Sequence, residues 1–226
     1  MLVTPLETEI KIIIVGNGGI GKTSLMTRFA EGTFDNQYLK TIGVDFLEKR
    51  MFVPSIHENV TFFLYDTAGQ EEFASLTRTF YRGAGAAMIG FSTVDRASFR
   101  ALPEWVSKVR EECGQIPLVL VQTKTDLLDT AVVSAQEVDD FSIERNLRVF
   151  RVCAKEDVNV NEVFEQVCID FVRRRRLLGN QTKSSARSAF ELTKDSSDFQ
   201  RDTGTSTGDI RTPNTNKTFL SNCSVM

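Results

Sequence analysis

A complete G-x-x-x-x-G-K-[ST] motif occupies residues 16–23 of this 226-residue chain. The apolar run at 10–15 precedes it and predicts a buried strand, and apolar residues at helical spacing follow it in 24–29. A strand, a glycine loop and a helix in this order place successive backbone N–H groups around a polyphosphate. We therefore predict a phosphate-binding loop in which Lys22 reaches the terminal phosphates and the Thr23 hydroxyl binds Mg²⁺.

Apolar strand runs alternate with helical patterns up to residue 176. This alternation predicts an α/β fold of the P-loop NTPase type. Its sheet should have six strands, be mostly parallel with one antiparallel edge strand, and carry helices on both faces. One helix should run through 99–113, and a capping box at 134–137 should open the next. Besides 10–15, strands are predicted at 48–53, 60–65, 86–91, 117–121 and 149–153.

The composition changes after the four consecutive arginines at 173–176. Residues 177–226 are rich in Ser, Thr, Asn and Asp and show no sustained periodicity, so they bury too little apolar surface to offset the entropy of ordering. We predict a folded domain at 9–176 and a disordered, hypervariable tail at 177–226. The arginines are either a solvated helix end or a patch that attracts anionic lipid.

Overall charge and cysteine usage exclude several classes of protein. Lys and Arg total 27 against 30 acidic residues, and the net charge of −3 leaves no electrostatic footprint for nucleic acid. We expect no membrane span, because no apolar run approaches about 18 residues. We expect no secretory signal, because residues 1–9 have no basic region followed by an apolar stretch. The four cysteines and one histidine lack metal-site or disulfide spacing, which favours a reducing cytosol.

A second phosphate-directed motif, Asp-Thr-Ala-Gly-Gln at 66–70, follows a predicted strand. Asp66 can hold Mg²⁺ through a water molecule, and the Gly69 N–H can approach a γ-phosphate. Gln70 can orient the attacking water. An aspartate at a strand end is often only a turn residue, but the full string after a strand favours the nucleotide.

Two short segments behind later strands predict the choice of guanine. The carboxylate of Asp126 can accept both the N1–H and the 2-amino N–H of guanine, a donor pair that adenine lacks. The Lys124 stem can lie across the base, and the Ala154 N–H can donate to the guanine carbonyl. Taken alone, the Lys-Asp pair can equally be a helix-capping loop. The order of the segments behind a phosphate loop favours GTP.

Residues between the first helix and the second strand complete the predicted site. Thr41 can give Mg²⁺ a second hydroxyl, and Phe34 either covers the edge of the base or is a core aromatic. We predict Gln70 and Lys22 as catalytic residues, and Thr23, Thr41 and Asp66 as metal ligands. The predicted nucleotide-binding residues are Gly16, Asn17, Gly18, Gly19, Ile20, Gly21, Lys22, Thr23, Ser24, Phe34, Tyr38, Thr41, Gly69, Thr123, Lys124, Asp126, Cys153, Ala154 and Lys155.

These motifs together resemble the Ras superfamily of small GTPases over roughly residues 9–176. The stretches 41–46, 66–73 and 81–84 resemble its Rab branch. Similarity to the twenty-third Rab subgroup, which is associated with endosomes, plasma membrane and cilia, is carried by further stretches. These are 42–48, 90–96 and 155–162.

The resemblance implies a switch that cycles between GDP and GTP, hydrolyses GTP and recruits effectors in vesicle traffic. Mg²⁺ is the implied cofactor. Exchange factor, GTPase-activating protein and effectors are expected to bind residues 38–48 and 67–84. Gly18 leaves room for water and an incoming arginine. Two departures bear on guanine binding, because Thr123 stands where the family usually has Asn and Cys153 where it has Ser or Thr.

The sequence Cys-Ser-Val-Met at 223–226 is a C-a-a-X box, where most Rab proteins have paired cysteines. It predicts a prenylated Cys223, with Met226 favouring farnesyl. The chain should then divide between the cytoplasm and the cytosolic face of endosomal or plasma membranes, with the cilium as a further site.

Two other functions remain open at this point. A nucleotide-bound scaffold with little turnover is permitted by Thr123 and Cys153 and disfavoured by Gln70 and Gly18. A P-loop kinase or ATPase is disfavoured by Asp126 and by the lack of a second substrate domain.

Overall fold

The computed structural model describes residues 7–36, 44–67 and 80–195, with side chains described for 7–36, 46–66 and 80–179. The chain divides into two units, Met1–Asn180 and Gln181–Met226. The described strands are β1 (Glu7–Val15), β2 (Val44–Val53), β3 (Glu58–Thr67), β4 (Ala86–Ser92), β5 (Leu118–Thr123) and β6 (Arg148–Arg151). The described helices are α1 (Lys22–Glu31), α2 (Arg96–Arg100), α3 (Leu102–Cys113), α4 (Ala135–Arg145) and α5 (Val160–Asp195), with a short 3₁₀ helix at Thr125–Thr130.

The six strands form one sheet in the order β2-β3-β1-β4-β5-β6. β2 pairs antiparallel with β3, and every other neighbouring pair is parallel. The predicted fold class, with its single antiparallel edge strand, is confirmed. β1 lies at the switch point of this order, because the chain first builds outward to one side of it and then to the other.

Two apolar cores cover the two faces of the sheet, and β1 contributes to both. Ile12 and Ile14 pack with α1 and α5, whereas Ile13 and Val15 pack with α3 and α4. This alternation is the two-residue period of a strand buried on both sides. Phe29 of α1 anchors the first core, since its ring stacks on a ring of α5 with centroids 3.9 Å apart.

Several element boundaries differ from the predicted ones. The strands extend by one to four residues at most ends, and the helix predicted at 99–113 is interrupted at Ala101. Asp95 caps α2 by accepting from the N–H groups of Ala97 and Ser98. Pro103 lies in the first turn of α3 and lacks the N–H that an unbroken helix would need. The 3₁₀ helix at Thr125–Thr130 is a further element, and Lys124 is its N-cap, as the helix-capping interpretation of the Lys-Asp pair implies.

The last helix continues to Asp195, although we predicted that the tail begins at 177. The stretch 161–195 contains one glycine and no proline, so nothing in its backbone chemistry ends the helix. Polar composition predicts a lack of burial, and it does not by itself predict where a helix stops. Residues 196–226 of the predicted tail lie outside the described part of the chain.

Two of the four arginines at 173–176 bind a buried carboxylate. Glu58, at the start of β3, is only 3% exposed. Arg176 Nη2 donates to Glu58 Oε1 at 2.7 Å, and Arg175 Nη2 lies 3.8 Å from Glu58 Oε2. The Thr8 hydroxyl donates to the same carboxylate and accepts from Arg175 at 2.9 Å. These two arginines therefore hold α5 against β1 and β3. Neither of the two predictions, a solvated helix end or a lipid-attracting patch, anticipated this role.

This cluster makes stability depend on acid pH. Burial pushes the pKa of Glu58 up, but the hydrogen bonds from Thr8 and Arg176 and the charges of Arg176 and Arg175 outweigh it, so the pKa is lowered. A lowered pKa stabilises the fold above the unfolded value, about 4.3, and that stabilisation is lost as pH falls through the folded value. Glu58→Gln should lower the free energy of unfolding by about 1–3 kcal/mol at pH 7 and flatten its decline below pH 5.

Chemical denaturation of both proteins between pH 3 and 7 measures this effect. Glu48→Gln is the matched control, since Glu48 pairs with Arg50 at the surface and its loss should change stability by less than about 0.5 kcal/mol. Equal losses in the two variants would contradict the assigned role of Glu58.

Candidate functional site

The predicted motifs meet at one edge of the sheet. The loop 16–21 follows β1, Asp66 lies near the end of β3, Thr123 ends β5 and Cys153 follows β6. These four strands are mutually parallel, so their carboxyl ends share this edge. Ligands of open α/β sheets bind in this position, at the switch point.

The loop after β1 has a backbone that only glycine adopts comfortably. Gly16 has φ +140°, and a Cβ there would lie 2.4 Å from the carbonyl oxygen of Gly90. Gly21 has φ +93° and is the N-cap of α1, where it offers no side chain to the first N–H groups of the helix. By contrast, Ser134 caps α4 through its hydroxyl. The start of α1 therefore presents backbone donors to a ligand rather than to a capping side chain.

Lys22 holds its ammonium group inside the loop. Its Nζ donates to the carbonyl oxygens of Gly16 and Asn17 at 2.9 and 2.8 Å, and the residue is 6% exposed. Burial lowers the pKa of Lys22 to about 8, while the charge of Asp66 opposes that shift. An anion bound in the loop would supply the charge that favours the ammonium, which fits a phosphate.

The two described residues that we predicted as Mg²⁺ ligands lie in contact. The Thr23 hydroxyl, in the first turn of α1, donates to Asp66 Oδ2. Asp66 is fully buried in β3. Because β3 pairs with β1, the loop that follows β1 lies next to Asp66. A hydroxyl and a carboxylate are the hard oxygen ligands that Mg²⁺ prefers, so this donor set fits the ion. Thr41, the third predicted ligand, lies outside the described residues.

The segment 123–126 is tied to the phosphate loop by two side chains. The Thr123 hydroxyl lies 2.6 Å from the Ile20 carbonyl oxygen and 3.1 Å from that of Phe91. Lys124 Nζ donates to the Gly19 carbonyl at 2.8 Å. Thr123, which stands where the family usually has Asn, therefore still offers a buried hydroxyl donor to the phosphate loop. This segment is held at a set position relative to the phosphate end of the site.

Cys153 contacts the residue that we predicted to read the base. Its Sγ lies 3.3 Å from Asp126 Oδ1, so the thiol donates to that carboxylate, and the Glu156 N–H donates to the sulfur at 3.3 Å. Burial is the main reason that the pKa of Cys153 is raised. The sequence predicts that Cys153 belongs to the nucleotide site and that the Ala154 N–H contacts the base, but it does not predict a bond from the thiol to Asp126. The sequence signal for this bond is the family's usual hydroxyl at this position, which is also a donor.

Two further residues bear on the site without any motif to mark them. The Trp105 indole N–H donates to Asn17 Oδ1 at 2.9 Å, from α3 to the phosphate loop. Arg28, in the last turn of α1, donates through Nε to the Ala154 carbonyl at 2.7 Å. Spacing alone cannot reveal either contact, because the partners are 88 and 126 residues apart.

Several predicted site residues lie outside the described part of the chain, and their roles stay predictions. Phe34 is described: it is half-buried, and the Arg28 guanidinium lies 5.8 Å from its ring centroid. Phe34 is not part of either apolar core. The predicted residues outside the described ranges are Tyr38, Thr41, Gly69, Gln70 and Cys223.

Comparison with known proteins identifies the family of this chain. The family model described as "Ras family" matches residues 11–173. The human protein "Ras-related protein Rab-30" is 38% identical over 155 residues, which cover 68% of this chain and 75% of that protein. "Ras-related protein Rab-13" of Mesocricetus auratus is 31% identical over 179 residues, covering 78% of this chain and 87% of that protein.

The chain therefore belongs to the Ras family, and its class is that of the small GTPases. Within the family it is a Rab-type GTPase, a switch that hydrolyses GTP and acts in vesicle traffic.

Proposed function

We propose that the four strand ends form a guanine-nucleotide site with the residue roles predicted from the sequence. The observation that carries this proposal is the meeting of loop 16–23, Asp66, segment 123–126 and loop 153–155 at one edge of the sheet. Loop 16–23 is assigned to the phosphates, and 123–126 with 153–155 to the base. The domain at 9–176 carries all of these residues.

The phosphate end binds and neutralises charge. The N–H groups at the start of α1 and the Lys22 ammonium hold the β- and γ-phosphates. Thr23 and Asp66, with Thr41, would hold Mg²⁺, which neutralises charge on the phosphate oxygens when it is bound. Gln70 orients the attacking water, and Gly18 keeps side-chain atoms away from it. Together these groups support GTP hydrolysis at the slow intrinsic rate that is typical of the class.

The base end selects guanine. Asp126 accepts from the two N–H groups of guanine and is held by the Cys153 thiol, while the Lys124 stem covers the ring. The Ala154 N–H donates to the guanine carbonyl, and Phe34 covers the edge of the base. Tyr38, Ser24, Gly69 and Lys155 are assigned to the same nucleotide.

The test of this proposal is the identity of the nucleotide that the purified protein releases on denaturation. We expect GDP or GTP, and we expect ATP to compete with labelled GTP at least about 10⁴-fold less well. Release of ATP, or of no nucleotide after purification with Mg²⁺ present, would overturn the assignment.

We also propose the finer identity of the switch. Residues 38–48 and 67–84 are its surface for regulators and effectors, and the subgroup is the twenty-third, which favours endosomes, plasma membrane or cilium. Motif resemblance alone supports these statements. Among the described residues, none of the helices combines the length and apolar character needed to cross a bilayer. On the basis of the C-a-a-X sequence at 223–226, we assign membrane association to a prenyl group on Cys223.

Replacing Cys223 by serine should move the protein to the cytosolic fraction. One lipid chain supports only reversible binding, with an association constant of about 10⁴ M⁻¹ for a myristoyl group, so the wild-type chain should divide between fractions. Arg175 and Arg176 are engaged with Glu58, which leaves less charge for anionic lipid. Fractionation of cells expressing the full chain measures the effect.

Ser221→Ala is the matched control, because it alters a neighbouring residue outside the C-a-a-X box. It should leave the distribution unchanged. Guanine-nucleotide binding should survive in both variants. A Cys223 variant that is as membrane-bound as the wild type would refute the lipid assignment, and one that loses nucleotide would refute the proposed domain boundary.

A further inference from the structure

Arg28 makes long-range hydrogen bonds from α1 to the loop after β6. Its Nε donates to the Ala154 carbonyl at 2.7 Å, and its Nη2 donates to the Lys155 carbonyl at 3.1 Å. Both acceptors belong to the loop that we assign to the base. A guanidinium presents its donors in a rigid planar fork, so a single side chain holds both carbonyls at once.

The same helix carries the phosphate-binding residues at its other end. Lys22 and Thr23 lie in the first turn of α1, and Arg28 lies in the last. Six residues of helix separate Lys22 from Arg28 by about 9 Å along the axis. Phe29, the next residue, is buried in the core, which keeps the helix from shifting. α1 is therefore a short helix that connects the two ends of the proposed nucleotide site at a fixed distance.

Arg28 also contacts the chain that leaves α1. Its Nη1 donates to the Gly32 carbonyl at 2.7 Å, and the guanidinium lies 5.8 Å from the Phe34 ring centroid. The Gly32 N–H donates in turn to the Arg28 carbonyl at 3.0 Å. One side chain therefore joins three parts of the base end: the helix, the loop at 153–155 and the segment that carries Phe34.

Apart from Arg28, the loop is held by bonds within itself and by the contacts of Cys153 and Lys155 with Asp126. Cys153 and Val158 exchange both backbone hydrogen bonds, at 3.1 and 2.9 Å. The Asp157 backbone between them has φ +57°, a turn conformation. The backbone bonds shape the loop, and the contacts with Asp126 join it to segment 123–126, which is itself bonded to the phosphate loop. The two bonds from Arg28 join it directly to the helix that carries Lys22.

We infer that Arg28 is a positioning residue that holds loop 153–155 against the guanine carbonyl and thereby sets how fast nucleotide leaves. It acts through the Ala154 backbone and does not touch the nucleotide. The inference rests on the proposed guanine-nucleotide site. It identifies a determinant of release that lies outside the motifs, on the far end of the phosphate helix.

The test compares GDP release from wild type and Arg28→Met, which keeps an unbranched stem and removes the donors. Loss of charge-assisted bonds to two carbonyls should accelerate release by about tenfold or more. The second ligand is 6-thio-GDP, whose sulfur replaces the guanine carbonyl oxygen and is a weak acceptor. Its release should be accelerated by less than about threefold, because the bond that Arg28 positions is already weak.

Arg28→Lys is a second variant for the case in which Arg28→Met does not fold. It keeps the charge but loses the planar fork, and it should release GDP at an intermediate rate. Arg145→Met is the matched control, since Arg145 likewise lies 5.7 Å from a phenylalanine ring and contacts Phe141 and Glu144 of its own helix. Its release rates should equal those of wild type.

Three outcomes distinguish the positioning role of Arg28 from the alternatives. Acceleration that is large for GDP and small for 6-thio-GDP supports the positioning role. Equal acceleration of both ligands, or none for GDP in either Arg28 variant, overturns it and leaves Arg28 as a general structural residue. A wild-type protein that retains neither ligand instead refutes the proposed function.

Discussion

Replacing Asp126 by asparagine should move the base preference of this protein from GTP toward XTP. The carboxylate is 13% exposed, and it contacts the Cys153 thiol and the Lys155 ammonium, whose Nζ lies 3.9 Å from Oδ2. Asparagine substitutes an N–H₂ donor for one acceptor oxygen, which opposes the 2-amino group of guanine and matches the extra carbonyl of xanthine. A site built on a buried hydrogen bond discriminates by up to about 10⁴–10⁵.

Competition of unlabelled GTP and XTP against a labelled nucleotide measures the ratio of the two affinities. Asp129→Asn makes the same chemical change three residues away, on an exposed part of the 3₁₀ helix, and should keep the wild-type ratio. Cys153→Ser replaces the thiol with a stronger donor to the same carboxylate and should also keep the preference for GTP. An Asp126 variant that still prefers GTP would show that another residue reads the base.

Replacing Gln70 by leucine should abolish most of the hydrolysis that an activating protein stimulates. Small GTPases of this class hydrolyse GTP at about 10⁻⁴ s⁻¹ alone and gain about 10⁵-fold with an activator that supplies an arginine. Leucine has a similar size but cannot orient the attacking water. The variant should therefore accumulate the GTP form while its affinity for GTP changes little, because the proposed binding contacts come from other residues.

Single-turnover hydrolysis with and without an activating protein is the measurement. Gln136→Leu is the matched control, because Gln136 lies on α4 and bonds Asp140 at the surface. It should hydrolyse GTP like the wild type. A Gln70 variant whose stimulated rate is unchanged would remove that residue from the mechanism and would favour a water held by backbone groups alone.

The fold class and the motifs of the proposed site were predictable because their signals are local. The phosphate loop requires glycine at 16 and 21, since backbone φ values of +140° and +93° exclude most side chains. Apolar runs that alternate with helical patterns predict a parallel sheet, and a parallel sheet brings the ends of β1, β3, β5 and β6 to one edge. The motifs therefore indicate both the chemistry and its position.

Side-chain partners that are distant in sequence were decided by the tertiary structure. The arginines at 173–176 are equivalent in composition, yet Arg175 and Arg176 reach a buried carboxylate more than a hundred residues away. The sequence treats Cys153 as a small change from the family's Ser or Thr, whereas in the structure its sulfur lies 3.3 Å from Asp126 Oδ1. Arg28 lies outside every motif that the sequence offers. Periodicity and spacing report which face a residue occupies, whereas such pairs depend on how several elements pack, and packing is a property of the whole fold.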